Sequence, residues 1–164
     1  MPPATRASHS PASRPSPEAG SGLVARTVEL TELTLVSDER GTFTVPLEGP
    51  GDAIPHELPE GAVVSLVMTF RLGADADGLV FETLRVGEGE DPVARRNLLG
   101  SFRAGGPYEI RLPPERLPLG RAHCGPYDVT ARLSDAAGVE HARVRYRFSL
   151  GRAPERGRRR IGRP

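Results

Sequence analysis

The sequence has no lysine, no tryptophan, a single cysteine and no long apolar run. Each lack removes a class of explanation. One cysteine, Cys124, cannot form an internal disulfide, so the chain is not a disulfide-stapled secreted scaffold. The longest largely apolar stretch, residues 62–70, is nine residues long, whereas a membrane-crossing helix needs about 20. The opening residues MPPATRASHSP hold no apolar segment of the signal-peptide kind. A reducing, cytoplasmic setting is the expectation that follows.

The usual signatures of chemistry are missing as well. There is no G-x-S-x-G nucleophile elbow. His123-Cys124 has no second His or Cys group nearby in sequence, and a metal needs three or four convergent ligands. The pair reads as a strand-edge feature with a buried or inert thiol. GADADG (73–78) has the outline of a calcium loop, yet Gly73 and Leu84 stand where carboxylates are required. It reads as a turn. GEGEDP (87–92) lacks the third glycine and the following helix of a phosphate-binding loop. His141, between polar neighbours, reads as a solvent-side residue. The expectation is a non-enzyme with no catalytic residue, no metal and no cofactor.

What is present is arginine, glycine, proline and alternation. All 22 basic side chains are arginine, and the net charge of +1 hides a split. Residues 23–150 carry 14 Arg against 19 Asp and Glu, a net of −5, while 151–164 carry six Arg and one Glu. Residues 1–22 are rich in Pro, Ser, Ala and Gly with almost nothing apolar, a composition that cannot bury enough surface to order itself. The division is therefore a disordered tail at 1–22, one domain at 23–150 and a disordered Arg-rich tail at 151–164.

Within the domain, strand candidates fall at 28–36, 42–47, 63–72, 79–86, 108–112, 127–133 and 142–150. Residues 93–99 are the one place where a helical turn is expected. From Tyr127 to Leu133 the odd positions are Tyr, Val, Ala and Leu, and from Ala142 to Leu150 the even positions are Ala, Val, Tyr, Phe and Leu. Successive side chains of a strand point to opposite faces, so both runs are half-buried strands, joined by a hairpin turn at 134–138. Six or seven short strands in this length point to an all-β sandwich of two antiparallel sheets. Several inward positions are small: Ala122, Ala131, Ala142 and Val144. Because interiors are close-packed, such positions require larger partners, closer sheets or a cavity.

The order of several segments is more specific than the sandwich. Glu60-Gly61 precedes a strand, Phe70-Arg71 lies near its end, and Gly100-Ser101-Phe102, Pro118-x-Gly120 and Gly125-x-Tyr127 follow. Together with VELTELTLV at the start and HARVRYRFSL at the end, this set resembles the immunoglobulin-like domain of the Rho GDP-dissociation inhibitor family over about residues 26–150. The resemblance implies a protein that makes and breaks no bond. It would hold the isoprenoid of a prenylated small GTPase, or of another lipidated protein, between two sheets. It implies lipid-lining roles for Leu35, Val64, Val129 and Tyr146. His56, Ala122 and Val144 stand where that family has larger or more apolar side chains, which widens the slot or removes a wall. Glu115 and Asp135 match carboxylates that hold the basic tail of the GTPase, while Arg71, Glu60 and Gly61 belong with the scaffold. The family's acidic, partly helical regulatory arm has no counterpart here: Glu18 is the one acid in the first 22 residues, beside five prolines. Lipid carriage is therefore better supported by the residues than GTPase inhibition.

An isoprenoid of roughly fifteen to twenty carbons offers on the order of 10 kcal/mol of gross transfer energy, at about 0.8 kcal/mol per methylene. Extraction from a bilayer exchanges one apolar environment for another, so protein contacts must supply the rest. The Arg-rich tail suits an anionic membrane surface, nucleic acid is not an expected partner, and a monomer is expected. Arg143, Arg145 and Arg147 read as charges that protect a sheet edge. The competing reading is a protein-interaction module with a filled core, binding through its loops or the Arg-rich tail.

Overall fold

The computed structural model describes residues 27–48 and 53–153, with 53–56 described by their backbone alone. The disorder expected at 1–22 and across most of 151–164 lies outside the described residues. Ten strands follow in order: β1 (Val28–Ser37), β2 (Gly41–Thr44), β3 (Ala53–Pro59), β4 (Val63–Leu72), β5 (Ala76–Gly87), β6 (Val93–Phe102), β7 (Gly105–Arg111), β8 (Glu115–Arg116), β9 (Gly125–Ser134) and β10 (Glu140–Gly151). A 3-10 turn covers Arg121–His123.

The strands form two five-stranded sheets. One runs β2-β1-β4-β7, with β8 also paired to β4, and the other runs β3-β10-β9-β5-β6. Strands β1, β4 and β7 thus occupy the A, B and E positions of an immunoglobulin sandwich, and β5, β9 and β10 occupy C, F and G. The protein is an all-β sandwich. One pairing departs from the antiparallel expectation: β3 lies parallel to β10. It belongs to the second sheet and flanks β10 only over Arg147–Gly151.

The alternation read from the last hairpin holds. Tyr127, Val129, Ala131 and Leu133 of β9, with Val144, Tyr146, Phe148 and Leu150 of β10, are all buried. The two sheets close over a single core. At the end where β4 finishes and β5 begins, three rings plug the space. Phe102 stands edge-on to Phe70 at 5.1 Å, and Tyr108 packs against both, at 5.7 Å from Phe70 and 5.2 Å from Phe102. Edge-to-face pairs of this kind contribute about 0.5–1.5 kcal/mol beyond their burial. At the opposite end, where β4 begins and β5 finishes, the inward side chains of these strands are Val64, Leu66, Thr83 and Arg85. The filling is asymmetric along the strands.

Several expectations are corrected. Residues 93–99 are strand, not a helical turn. The β6 register runs Val93 opposite Arg85 through Leu98 opposite Val80, and this pairing outweighs the local charge of the Arg95-Arg96 doublet. β3 was not expected, because its two prolines and charged residues carry no period-two signal. β3 pairs β10 only from Arg147 to Gly151, so Arg147 does not guard an edge, whereas Arg143 and Arg145 fall on the stretch that β3 leaves unpaired. His123-Cys124 sits in the 3-10 turn and its exit, not on a strand edge. Ala122 is exposed on that turn rather than facing inward. His141 is not solvent-side. Its side chain is 8% exposed and pairs with Asp135 at 2.9 Å.

Candidate functional site

The unplugged end of the sandwich holds a cavity of about 60 Å³ between the sheets. Leu35 of β1 and Val64 of β4 form one wall, and Val129 of β9 and Tyr146 of β10 form the other. Leu58 and Phe148 close it below. The register makes this convergence necessary. Leu35 pairs with Leu66 two residues from Val64, and Tyr146 pairs directly with Val129, so each wall is a cross-strand patch on one sheet face.

The rim is polar and bridges the sheets. Glu115, on β8 of the first sheet, accepts a hydrogen bond from Arg85 Nη1 of β5 at 2.5 Å. Arg95 Nε of β6 approaches the same carboxylate oxygen at 3.1 Å. The Arg85 and Glu115 side chains are 12% and 18% exposed, so this pair is only partly screened by solvent. It ties the two sheets together at the cavity mouth. Arg85 also lies over the Tyr127 ring, 5.9 Å from its centroid, which fixes the guanidinium from the other side.

Tyr146 is 5% exposed, and its hydroxyl has no hydrogen-bond partner among the described residues. Burial raises its pKa well above the ordinary tyrosine value, the Glu115 carboxylate adds to the rise and Arg85 opposes it. The hydroxyl is therefore neutral, on a residue lining a cavity that also has the polar Thr83 and Asn97 and the charged Arg85 and Glu115 in its lining. Tyr127 is also raised, to about 12, first by burial and then by its hydrogen bond to Glu90. Its hydroxyl donates to Glu90 Oε1 at 3.0 Å and also contacts the His123 carbonyl.

The remaining sequence-selected residues lie elsewhere. Val144 is buried in the core but is not part of the cavity wall. His56 falls on β3 by its backbone, and its side chain lies outside the described residues. Ala122 lines a separate shallow pocket with Glu90, His123 and Tyr127. Asp135 is not beside Glu115 at the cavity. It organises the β9–β10 turn, where its Oδ1 accepts from the Ala137 and Val139 amides at 2.9 and 3.1 Å and its Oδ2 pairs with His141. The hydrogen bond with His141 leads the causes that lower the Asp135 pKa.

Several residues at the site were not singled out in the sequence. Arg85, Arg95, Thr83 and Asn97 reach it from β5 and β6, and the signal for them was an inward-phase arginine in the run LVFETLRVG. The motif anchors prove to be mutual contacts. Gly61 donates to the Pro118 carbonyl at 2.9 Å, and the Gly120 amide donates to Glu60 at 2.7 Å. Phe70 meets Phe102 in the aromatic plug. Glu60, Gly61, Pro118 and Gly120 thus clamp the β3–β4 turn to the segment that delivers Glu115.

Comparison with known proteins adds little to this geometry. No family model matches the chain, and no curated protein matches it. Among solved structures, it is similar to Bacteroides uniformis beta-glucuronidase 2, with a TM-score of 0.48 and 12% identity over 75% of this chain. It is also similar to the Pseudomonas fluorescens alkylpurine DNA glycosylase AlkC, with a TM-score of 0.38 and 16% identity over 77% of this chain. The chain spans 14% and 31% of those two proteins. No functional assignment follows from either. Among the described residues, no group of three or more His, Cys, Asp and Glu is placed to hold a metal, and no helix is long and apolar enough to cross a membrane.

Proposed function

We propose that this protein is a non-catalytic, cytoplasmic lipid-shielding module of the Rho GDP-dissociation inhibitor kind, seen here with its slot closed. The observation that carries the reading is the convergence of Leu35, Val64, Val129 and Tyr146 on one inter-sheet cavity. The cavity's mouth is formed by Glu115, the carboxylate that the resemblance assigns to the partner's basic tail. An apolar wall with the Glu115 carboxylate at its mouth offers a C-terminal peptide a place for a lipid and one anion for a basic neighbour, in competition with Arg85 and Arg95. The partner class is a prenylated small GTPase or another lipidated protein.

At about 60 Å³ the chamber is well below the roughly 300–1,000 Å³ of ligand pockets. Entry of an isoprenoid therefore requires the sheets to part at the unplugged end, with the Arg85–Glu115 bridge opening first. A basic lipidated peptide offers Glu115 a replacement partner as it enters, while Arg85 and Arg95 lose theirs, so opening the bridge carries a cost that burial of the lipid must exceed.

The same small volume favours a second reading, in which the core is effectively filled and the protein binds through its surface. Native mass spectrometry after incubation with a farnesylated basic peptide separates the two. The carrier reading expects a one-to-one adduct with the natural chain and none with Tyr146→Asp. A natural chain that retains no peptide while its melting transition is intact would leave the surface module standing.

A further inference from the structure

The outward side of the β10-β9-β5-β6 sheet carries an open groove of about 560 Å³, far larger than the inter-sheet cavity. Its layout follows from the register. In one row across the four strands, Arg143 faces Arg132, Arg132 faces Glu82 and Glu82 faces Arg96. In the next row, Arg145 faces Thr130, Thr130 faces Leu84 and Leu84 faces Ala94. Apart from Arg145 on β10, the second row is a floor of short or apolar side chains. The first is a wall of three guanidinium groups around Glu82, standing beside it.

The wall is under-compensated. Glu82 is shared between Arg132, at 2.5 Å, and Arg96, at 3.6 Å. Arg143 is held by Glu140, 2.7 Å from its Nε. Arg145 is exposed and has no ion-pair partner among the described residues. Arginines 132 and 143 face each other directly, an arrangement that is unfavourable in a sheet without anions between them. Leu84, at the centre of the floor, is 43% exposed, so an apolar side chain is presented inside a positively charged frame.

We propose that this groove binds a short acidic peptide segment of a partner protein, one that carries an apolar side chain between its carboxylates. Guanidinium forks match carboxylates two bonds at a time, and Leu84 with Ala94 receives the apolar group. Four strands spaced about 4.8 Å apart give a floor about 14 Å across, the length of some four extended residues. Residues 23–150 have a net charge of −5, so within the domain the groove is a local positive site on an otherwise acidic surface, which suits a short segment. A concave surface also fits a flat bilayer poorly. The groove opens on the outer face of the sheet and meets the inter-sheet cavity at Thr83 and Arg95, which line both; the proposal does not depend on the lipid reading.

The test is fluorescence anisotropy of the full chain with fluorescein-labelled Glu-Glu-Leu-Glu-Glu. Gln-Gln-Leu-Gln-Gln, a phosphatidylserine vesicle and a short single-stranded oligonucleotide serve as competing arms. The acidic peptide is expected to bind, to weaken at least tenfold between about 50 and 500 mM salt, and to outbind the glutamine peptide at least tenfold. Arg145→Glu should weaken it at least tenfold. Arg145→Gln should show a smaller loss in the same direction. Equal binding of the two peptides, an unchanged affinity in a natively melting Arg145→Glu, or binding of vesicle or oligonucleotide without the peptide would each overturn the proposal. Clustered arginines attract carboxylates wherever they lie, so the peptide and salt arms are repeated with Arg156, Arg158, Arg159 and Arg160 each replaced by Gln, and loss of peptide binding in that natively melting variant would also overturn the proposal.

Discussion

Tyr127 shows how single residues near the slot are held. Its ring stacks on Phe148 at 5.2 Å and 12°, and its hydroxyl is fixed by Glu90 and the His123 carbonyl. A Cβ added to Gly87 would fall 2.5 Å from Tyr127 Cε1. With the ring held at both ends it cannot step aside, so glycine is required opposite it. The same confinement has a consequence in alkali. Tyr127 is raised to about 12 in the fold against about 10 in an unfolded chain. Its contribution to stability is therefore complete below pH 10 and is lost as the pH rises from 10 towards 12. Urea stability measured at pH 9 and pH 11 should fall more in the natural chain than in Tyr127→Phe. Parallel losses in the two would show that the buried hydroxyl is not the source.

Among the strands, the decisive relation is the one between β8 and β5. β8 is only two residues long, pairing Glu115 with Val64 and Arg116 with Val63. It nonetheless delivers the one carboxylate that, among the described residues, joins the sheets at the cavity mouth. Glu115→Ala leaves Arg85 largely buried without its anion, a change expected to cost about 1–3 kcal/mol. Replacing both partners with apolar side chains, Arg85→Met with Glu115→Leu, should recover most of that loss, because neither charge then remains buried. Urea melts of the two single variants and the double variant measure the coupling. Additive losses would mean that the bridge does not join the sheets energetically.

The elements most legible in the sequence are β9 and β10, which bury one face and wet the other, so the chain writes their period directly. β1 and β4 bury residues of both phases, Thr34 and Ser65 among them, and show as apolar runs. β3 and β6 were hidden for a different reason. β6 is a sheet edge whose outward side chains include Arg96 and whose inward ones include Arg95 and Asn97, so burial does not sort polar from apolar along it. Its identity as a strand comes from its pairing with β5, which no local pattern encodes. The groove on the outer face was hidden for the same reason, since Arg132, Arg143 and Arg145 become neighbours of Arg96 only through three strand pairings. The cavity wall was legible as far as resemblance placed Leu35, Val64, Val129 and Tyr146. Of its rim, Glu115 was placed by the same resemblance but Arg85 was not, because the two lie 30 residues apart and meet only when the sheets stack.

Taken as a whole, the molecule is filled unevenly, and that unevenness can be tested. Natural cores seldom leave space unfilled where a methyl group would fit, and the aromatic plug shows that this chain can fill its core at the other end. A cavity kept open for a ligand costs stability that a larger side chain would restore. Val129 lies on the wall facing the void, so Val129→Ile directs one extra methylene into it. Burying that group is worth about 0.8 kcal/mol, which for a domain of this size is a rise of about 2–4 °C in Tm. If the void is the start of a lipid slot, the same substitution should weaken retention of the farnesylated peptide in native mass spectrometry. Stability and binding would then move in opposite directions. A stabilised variant that keeps the peptide as well as the natural chain would place the lipid elsewhere. A destabilised one would show that the two sheets already touch at Val129, and that the open end has no room to give.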